Sequence, residues 1–275
     1  RNWNGYMEQE ESFTIIYTVN MDVTLFHILG AGAISAAAGG LLGSFALLRR
    51  MALVGDALSH VALPGIALGL LFHFNPFLGS LAFLLLGTTL IWAVEHKTNL
   101  PVDTLVGVLF VLALAFGALL MPEQELLEAL FGDISQLSAT GFWISLLLGL
   151  FIIAALSALW RKLTLTMVSS ELSQSTGLRP HVVEFFFLTL FAFVVAIGIT
   201  FTGVLLIGAL VIIPAAIARN IAPSMRSYML LSALLGVLGA IGGILASYFF
   251  GIASGPAFLI LLGTLYFLSV IAKLR

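Results

Sequence analysis

Residues 47–73 read LLRRMALVGDALSHVALPGIALGLLFH, an apolar run that follows an arginine pair and carries an aspartate and a histidine in its first half. About twenty apolar residues are enough to cross a bilayer as a helix, and this run has that length. The rest of the chain is similar: 61% of its 275 residues are hydrophobic and only 9% are charged. Soluble domains carry about 25% charged residues. The sequence therefore predicts an all-helical integral membrane protein.

Apolar runs of spanning length recur to the end of the chain. We predict nine transmembrane helices, over residues 24–48, 52–72, 76–94, 104–121, 141–159, 182–200, 203–218, 228–250 and 255–272. Eight is the alternative, because the runs that meet at Asn75-Pro76 and near Thr202-Gly203 leave almost no loop between them. Residues 22–275 are then a single transmembrane domain.

Residues 1–21 are polar and lack the basic and apolar regions of a signal peptide. We interpret them as an extracytoplasmic tail, or as an over-extended reading frame that begins at Met7 or Met21.

Basic residues predict the orientation of the chain. If the Arg49-Arg50 turn is cytoplasmic, alternation of the spans puts ten of the eleven lysines and arginines on that side. Short cytoplasmic loops carry such an excess of basic residues. We therefore expect the N-terminus outside and the C-terminus in the cytoplasm. The outer segments hold most of the acidic residues, which suits a cation or a basic partner but also fits the weak topological preference of acids.

Two connections are longer than a turn. The outer one, residues 121–140, is predicted to contain a short amphipathic helix, since apolar residues recur at near-helical spacing: Leu126, Leu127, Leu130 and Ile134. The inner one, residues 161–181, has the signals of a capped helix. Its N-cap is Ser169 or Ser170, Glu171 lies in its first turn, and Gly177 ends it. A capped cytoplasmic helix is either a simple connection or a place where a soluble partner docks.

Asp56 and His60 are the ionisable residues inside the second span. With a span that starts near Met51, the helical rise puts Asp56 roughly 8 Å and His60 roughly 14 Å into the membrane. Residues four apart share a helix face, so the two side chains point the same way, with Ser59 beside them. Ionisable residues at this depth usually face a bundle interior or a wet cavity and indicate function.

Pro64 adds a backbone group to this face. Its ring displaces the carbonyl of the residue four positions earlier, which is His60, and leaves that oxygen without its helical donor. Carboxylate, imidazole and carbonyl together suit Zn²⁺ or Mn²⁺ better than Mg²⁺ or Ca²⁺. The alternative is a structural hydrogen-bonded pair that ties this helix to a neighbour.

Several kinds of chemistry have no support in the sequence. Cysteine is absent, which excludes disulfides and thiolate metal sites in this chain. The sequence holds no G-x-x-x-x-G-K-[ST] motif for ATP phosphates, and neither the H-E-x-x-H nor the G-x-S-x-G motif of hydrolases. It holds no basic block that would suggest nucleic acid. Transport is the function that we expect.

These segments resemble the ABC-3 family, the membrane permeases of ATP-binding-cassette importers for zinc, manganese and iron. The resemblance begins at RRMALVGDALSHVALPGIALG (49–69) and continues through most of the chain, in LPVDTLVGVLFVLALAFGALL (100–120), LFGDISQLS (130–138), SSELSQSTGL (169–178), TGVLLIGALVIIPAAIAR (202–219) and SGPAFLILLGTLYFLS (254–269). It implies a vitamin-B12-importer-like (type II) permease fold in the plasma or inner membrane. It also implies a homodimer that works with two cytoplasmic ATPase subunits and an extracytoplasmic solute-binding protein.

The resemblance also implies roles for individual residues. Asp56 and His60 match the pair proposed to contact the ion in the family's translocation path, with Ser59 and Pro64 as supporting residues. The segment from Ser170 to Gly177 matches the loop that docks in the ATPase, through Ser170, Glu171, Leu172 and Gly177. Here Ser169 and Ser170 stand where the family often has an acid. We expect no tightly bound cofactor, and the metal ion is cargo.

Two other functions remain open at this point. In a proton-driven secondary transporter, Asp56 and His60 would form a proton relay. In an intramembrane hydrolase, His60 would act in catalysis. The sequence does not choose among manganese, zinc and iron, because affinity order alone does not set the selectivity of such sites.

Overall fold

The computed structural model describes the backbone of residues 4–51, 54–98, 101–131 and 138–274, and side chains from Leu25 onward except at 102, 103, 131, 170 and 201. Every regular element in these ranges is a helix. In chain order they are α1 (Asn4–Leu48), α2 (Val54–Leu71), α3 (Pro76–Thr98), α4 (Val102–Leu120), α5 (Glu123–Phe131), α6 (Ala139–Val168), α7 (Ser170–Ser175), α8 (Pro180–Ile221), α9 (Met225–Phe250) and α10 (Ser254–Lys273).

The predicted membrane architecture is confirmed. Eight helical segments in the described residues are long and apolar enough to cross a membrane, and α4 adds a shorter apolar helix, Thr104–Leu120. With α4 included the count is nine, which is the predicted number of spans; without α4 it is eight, which is the alternative. The backbone of α1 runs back to Asn4, so residues 4–21 continue the first helix.

Gly203 divides α8 into two segments, Pro180–Thr200 and Thr202–Ile221. Its φ of 72° and ψ of 170° are accessible to glycine and strained for other residues. A Cβ placed on Gly198 would collide with the side chain of Ile207, although a straight helix would hold these residues about 13 Å apart. The chain therefore bends sharply at Gly203, which explains why the sequence leaves almost no loop there.

The most enclosed helices are α1, α2 and α8. Helix α1 packs against α6, α8 and α9, while α2 packs against α3, α4 and α8. Small residues let the backbones approach closely: a Cβ on Gly43 would strike the carbonyl of Val211, and one on Gly65 would strike the carbonyl of Gly79. Such contacts are typical of membrane helices, where close packing replaces the hydrophobic effect as the source of association.

The predicted outer helix is present as α5. Leu126 and Leu130 pack against a buried cluster that includes Leu63 and Val204, whereas Leu127 is exposed. The fourth apolar residue of the predicted pattern, Ile134, lies outside the described residues. Only part of the predicted stripe therefore faces the bundle.

Contacts bring several helix ends together on two sides of the bundle. On one side, the Arg49 guanidinium pairs with Glu184 at the start of α8, and the Trp92 indole near the end of α3 donates to the carbonyl of His181 over 2.8 Å. On the other side, α5 lies over a cleft that is also lined by Leu70 and Pro76. The turn after α1, the end of α3 and the start of α8 are thus together, and so are α5 and the turn between α2 and α3.

Candidate functional site

Asp56 and His60 lie on α2, which is more buried than any other candidate span in the described residues. Twelve residues of α2 are buried, among them Gly55, Ser59, His60 and Pro64. The His60 side chain is only 5% exposed, and Asp56 is half-buried. The two side chains that the sequence singles out are therefore inside the bundle.

Ser59 ties this part of α2 to α8. Its hydroxyl oxygen lies 2.6 Å from the carbonyl oxygen of Val204 and 2.5 Å from the carbonyl oxygen of Asp56. Since a hydroxyl has one hydrogen, it donates to one of these acceptors at a time. Val204 follows Gly203 directly, so the bend in α8 is beside the candidate site.

Gly208 forms a second contact between α8 and this face of α2. A Cβ at Gly208 would lie 2.8 Å from the Cβ of Asp56 and 3.0 Å from its Cα. The second segment of α8 therefore passes across Asp56 at backbone contact, a distance that a larger residue at position 208 would not allow.

The imidazole of His60 faces α4. Its ring packs edge-on against Phe110, with ring centroids 4.7 Å apart and planes at 87°. Nδ1 of His60 is buried and has no hydrogen-bond partner in the described part of the chain. A buried polar atom without a partner is costly and needs an explanation, such as an ion or water that binds there.

Asp56 and His60 together offer two ligands for a metal ion. Asp56 can supply a carboxylate oxygen and His60 a neutral ring nitrogen, a mixture that divalent first-row metals accept. No group of three or more acidic, histidine or cysteine side chains within the described ranges could hold a metal ion. A two-ligand arrangement with water in the remaining positions holds an ion loosely, as a site that must release its ion requires.

Pro64 lies within α2, which continues past it to Leu71. The residue is buried, and Leu63 beside it packs closely against Gly117 of α4. The prediction that Pro64 frees the carbonyl of His60 stays a prediction.

A cleft of about 360 Å³ opens elsewhere, between α2, α3, α5 and α8. Glu125 and Glu128 of α5 line it, together with Ile66 and Leu70 of α2. Neither Asp56 nor His60 contributes to its wall. The acidic outer residues therefore lie over a cleft that is separate from the candidate site.

The predicted inner helix is present as α7. Of the two N-cap candidates, Ser169 is the cap, since its hydroxyl accepts from the backbone N–H of Leu172 over 3.2 Å. Gly177 has a φ of +78°, and its N–H donates to the carbonyl of Gln174. Both helix boundaries are therefore set by the residues that the sequence indicates.

Helix α7 is held from one side and free on the other. The hydroxyls of Ser173 and Thr166 lie 3.0 Å apart and join α7 to the end of α6. Glu171 and Gly177 are exposed, Leu172 is 56% exposed, and Val168 at the end of α6 is 72% exposed. The side chain of Ser170 is outside the described set. Apolar side chains at an exposed helix end form a suitable contact for another protein.

An ion pair joins the turn between α1 and α2 to the start of α8. The guanidinium of Arg49 contacts Glu184, and their side chains are 24% and 14% exposed. Burial lowers the pKa of Arg49 from its ordinary value, and Glu95 on α3 acts in the opposite direction. Arginine still remains charged at physiological pH. The basic turn that predicts topology therefore also links the end of α1 to the start of α8.

Sequence reasoning missed the partners of the candidate pair. Phe110, Val204 and Gly208 come from helices far away in sequence, and no spacing pattern connects them with α2. The one local signal was Gly203, which marks a boundary between two predicted spans without indicating what lies beside it.

The sequence profile of the ABC 3 transport family matches residues 21–273 of the chain. The chain is 34% identical over 251 residues to the manganese import system permease protein ScaB of Streptococcus parasanguinis, covering 88% of this chain and 89% of that protein. It is 33% identical over 260 residues to the high-affinity zinc uptake system membrane protein ZnuB of Haemophilus influenzae, covering 91% and 98%.

A solved structure has the same fold. PsaBC from Streptococcus pneumoniae in complex with Fab superimposes with a TM-score of 0.80 at 27% sequence identity, and the match covers 90% of each chain. The overall helical architecture described above is therefore shared with that protein.

Proposed function

The chain belongs to the ABC 3 transport family, and from that premise we propose that it is the permease subunit of an ATP-binding-cassette importer that carries a divalent transition metal ion into the cytoplasm. The observation that carries this proposal is the match along nearly the full chain to permeases named for manganese and for zinc import. Manganese and zinc are accordingly the leading candidates for the cargo, with iron as a third.

We assign the contact with the ion to Asp56 and His60. His60 is buried and Asp56 is half-buried, the two residues share one face of α2, and Nδ1 of His60 has no partner in the described residues. Ser59 supports them by holding α2 against Val204. Pro64 supports them by interrupting the backbone hydrogen bonds one turn later.

The transport mechanism that fits this arrangement is alternating access. The ion is cargo, so the site has to bind and release it in each cycle. Helix α2 lies between α4 on one side and the bent α8 on the other. A small movement of α8 at Gly203 relative to α2 would change which side of the membrane reaches Asp56 and His60.

Energy for this movement comes from a separate ATPase, since the sequence holds no phosphate-binding motif. We assign its docking site to α7 and the exposed residues Glu171, Leu172 and Gly177, together with Ser170. On the opposite side, Glu125 and Glu128 of α5, which line the outer cleft, would meet the solute-binding protein that delivers the metal. We further propose that two copies of the chain form the permease, with the N-terminus outside and the C-terminus in the cytoplasm.

Neither alternative function gains support from the molecule. A proton-driven transporter would need no ATPase, yet the chain belongs to the ABC 3 transport family, whose name refers to the ATP-binding cassette. A hydrolase would need a nucleophile or a bound water oriented by a third group, and His60 contacts the hydrocarbon ring of Phe110.

The proposal can be tested by metal uptake into proteoliposomes that contain the chain with its cognate ATPase and solute-binding protein. Asp56→Asn and His60→Gln should each lower ATP-dependent uptake by roughly tenfold or more, which is the loss that altering even a supporting residue of a metal site can cause. Manganese, zinc and iron are supplied in turn, and the metal that is taken up identifies the cargo.

Two matched substitutions control for the loss of an acid and of a histidine. Glu123→Gln removes an exposed carboxylate on α5, and His73→Asn replaces a histidine in an outer loop whose φ of 55° asparagine tolerates. Both should transport as the wild type does. Unchanged uptake of all three metals by Asp56→Asn and His60→Gln would refute the site. Uptake by the chain alone, without ATPase or ATP, would support the proton-driven alternative instead.

A further inference from the structure

Two arginines lie over one tryptophan near the inner end of α6. The guanidinium carbon of Arg161 is 5.5 Å from the ring centre of Trp160, and that of Arg226, in the first turn of α9, is 5.7 Å from it. Both distances are within the range of a cation–π contact, about 6 Å. Both arginines are also exposed. Two positive charges from different helices are thus concentrated beside a single aromatic ring.

The spacing of two tryptophans on α6 indicates that Trp160 lies at the depth of the lipid head groups. Helix α6 carries a second tryptophan, Trp143, which is 56% exposed near the other end of the helix. The helical rise separates the two by about 26 Å, close to the thickness of the hydrocarbon core. Tryptophans are enriched at both membrane interfaces. Arg161 and Arg226 are therefore at the interface too, in the cytoplasmic leaflet if the orientation proposed above holds.

An apolar groove of about 280 Å³ extends from this point between α1, α6 and α9. Besides Trp160 and Arg226, its lining consists of Leu41, Ile153, Ser157, Met229, Leu230 and Ala233. It follows α6 from Trp160 to Ile153 and the antiparallel α9 from Arg226 to Ala233, about 10 Å along each helix. The groove thus has its charged end at the interface and its apolar end inside the hydrocarbon core.

We propose that this groove binds an anionic glycerophospholipid, with the phosphodiester between Arg161 and Arg226 and one acyl chain along Ile153 and Ala233. Guanidinium groups bind phosphate oxygens strongly because they present several donors in one plane. Basic pockets between transmembrane helices on the cytoplasmic side bind anionic head groups for this reason. A zwitterionic lipid is bound less well, because its ammonium group adds a third positive charge beside the two arginines.

Charge also argues against a second copy of the chain as the occupant. A twofold interface presents the same patch on both subunits. One centred on this groove would bring the arginine pairs of the two copies together without an acidic side chain in the groove lining to offset them. A bound lipid would instead join α6 to α9 about 12 Å before α6 ends at Val168, where the chain continues to α7.

The first test measures lipid binding by native mass spectrometry of the full chain in its assembled complex, released from nanodiscs of mixed phosphatidylglycerol and phosphatidylcholine. Wild type should retain phosphatidylglycerol in preference. The variant Arg161→Gln/Arg226→Gln should lose roughly 30-fold in relative affinity, since each basic residue near the surface contributes about a fivefold gain. The control Lys97→Gln/Arg179→Gln removes two other exposed basic residues and should bind as the wild type does.

A second test measures quenching of tryptophan fluorescence. It includes a substitution, Ala233→Phe, that fills the groove without changing its charge. Lipids brominated on the acyl chain should quench Trp160, identified by the difference between wild type and Trp160→Phe, and brominated phosphatidylglycerol should quench it more than brominated phosphatidylcholine. Ala233→Phe should remove this quenching. Equal quenching by the two lipids would overturn the proposal. So would equal lipid retention by the arginine variant, or dissociation of a dimer caused by Ala233→Phe, which would make a second copy the occupant.

Discussion

Gly208 of α8 lies in direct contact with Asp56 of α2. A Cβ on Gly208 would come to 2.8 Å from the Cβ of Asp56 and 3.0 Å from its backbone nitrogen. Real Cβ atoms do not approach backbone so closely, and backbone cannot move aside as the end of a long side chain can. The absence of a side chain at position 208 therefore sets the distance between the two helices at the proposed ion site.

The first prediction is that Gly208→Ala impairs transport. The added methyl group has to push α2 and α8 apart, which we expect to cost about 1–3 kcal/mol, as overpacking of a well-packed interior does. Metal uptake in proteoliposomes should fall while the protein still inserts and purifies. Gly263→Ala on α10 is the matched control, since nothing lies within 4 Å of the Cβ that it adds. If both variants transport alike, close contact at Gly208 is unimportant.

The second prediction concerns the hydroxyl of Ser59. Ser59→Ala removes the donor that lies 2.6 Å from the Val204 carbonyl oxygen. Interhelical hydrogen bonds in membranes contribute about 0.6 kcal/mol on average, so we expect a small loss of thermal stability and a clear drop in uptake, because the bond is next to Asp56. Ser44→Ala serves as a control, since that hydroxyl donates within its own helix, to Leu41. Wild-type uptake by Ser59→Ala would count against a supporting role.

The third prediction tests the end of α7. Gly177→Ala places a β-carbon on a residue with a φ of +78°, although no atom lies within 4 Å of it, so the effect comes from the backbone alone. The left-handed conformation costs a non-glycine residue roughly 1–2 kcal/mol. We expect weaker association with the ATPase subunit in pull-down experiments. Gly177→Asn should retain more of the association, because asparagine tolerates this conformation. Equal losses from alanine and asparagine would contradict the explanation.

The fourth prediction is that the Arg49–Glu184 ion pair stabilises the bundle. Both side chains are largely buried, and removing one partner leaves the other charge uncompensated. We expect Glu184→Gln to destabilise the protein by about 3 kcal/mol, the lower end for buried pairs. Thermal unfolding in detergent measures this effect.

A double-mutant cycle separates this pair from other contacts. Arg49→Gln/Glu184→Gln should be less destabilised than the sum of the two single variants, because the second substitution removes the uncompensated charge. Additive losses of unfolding free energy would mean that the charge of Arg49 is stabilised mainly by another residue, such as Glu95, which also favours its charged form. Glu123→Gln, an exposed acid on α5, should leave stability unchanged.

Much of the fold was predictable because its signals are local. Apolar runs long enough to cross a bilayer predict the spans directly. Basic residues in the loops between them predict their orientation. The ends of α7 follow from Ser169 and Gly177, whose cap and left-handed conformation involve only residues within a few positions. The i to i+4 spacing of Asp56 and His60 likewise places them on one face of α2 without any knowledge of the other helices.

The surroundings of that pair could not be predicted in the same way. Phe110 reaches His60 from α4, and Val204 and Gly208 reach Ser59 and Asp56 from α8. These contacts depend on how helices pack, and packing in a membrane depends on the detailed fit of small residues. Arg49 shows the same difference, since its charge predicts topology but not its pairing with Glu184.

The sequence by itself therefore determined that this is a multi-pass helical membrane protein with an aspartate and a histidine on one face of its second span and a capped helix between two later spans. Those properties arise from composition and from hydrogen bonds within single helices. Only the tertiary structure decided that α8 bends at Gly203, lies at backbone contact with Asp56 through Gly208, and leaves Nδ1 of His60 buried without a partner in the described residues. The reason is physical: these features exist only when helices far apart in sequence come within van der Waals distance.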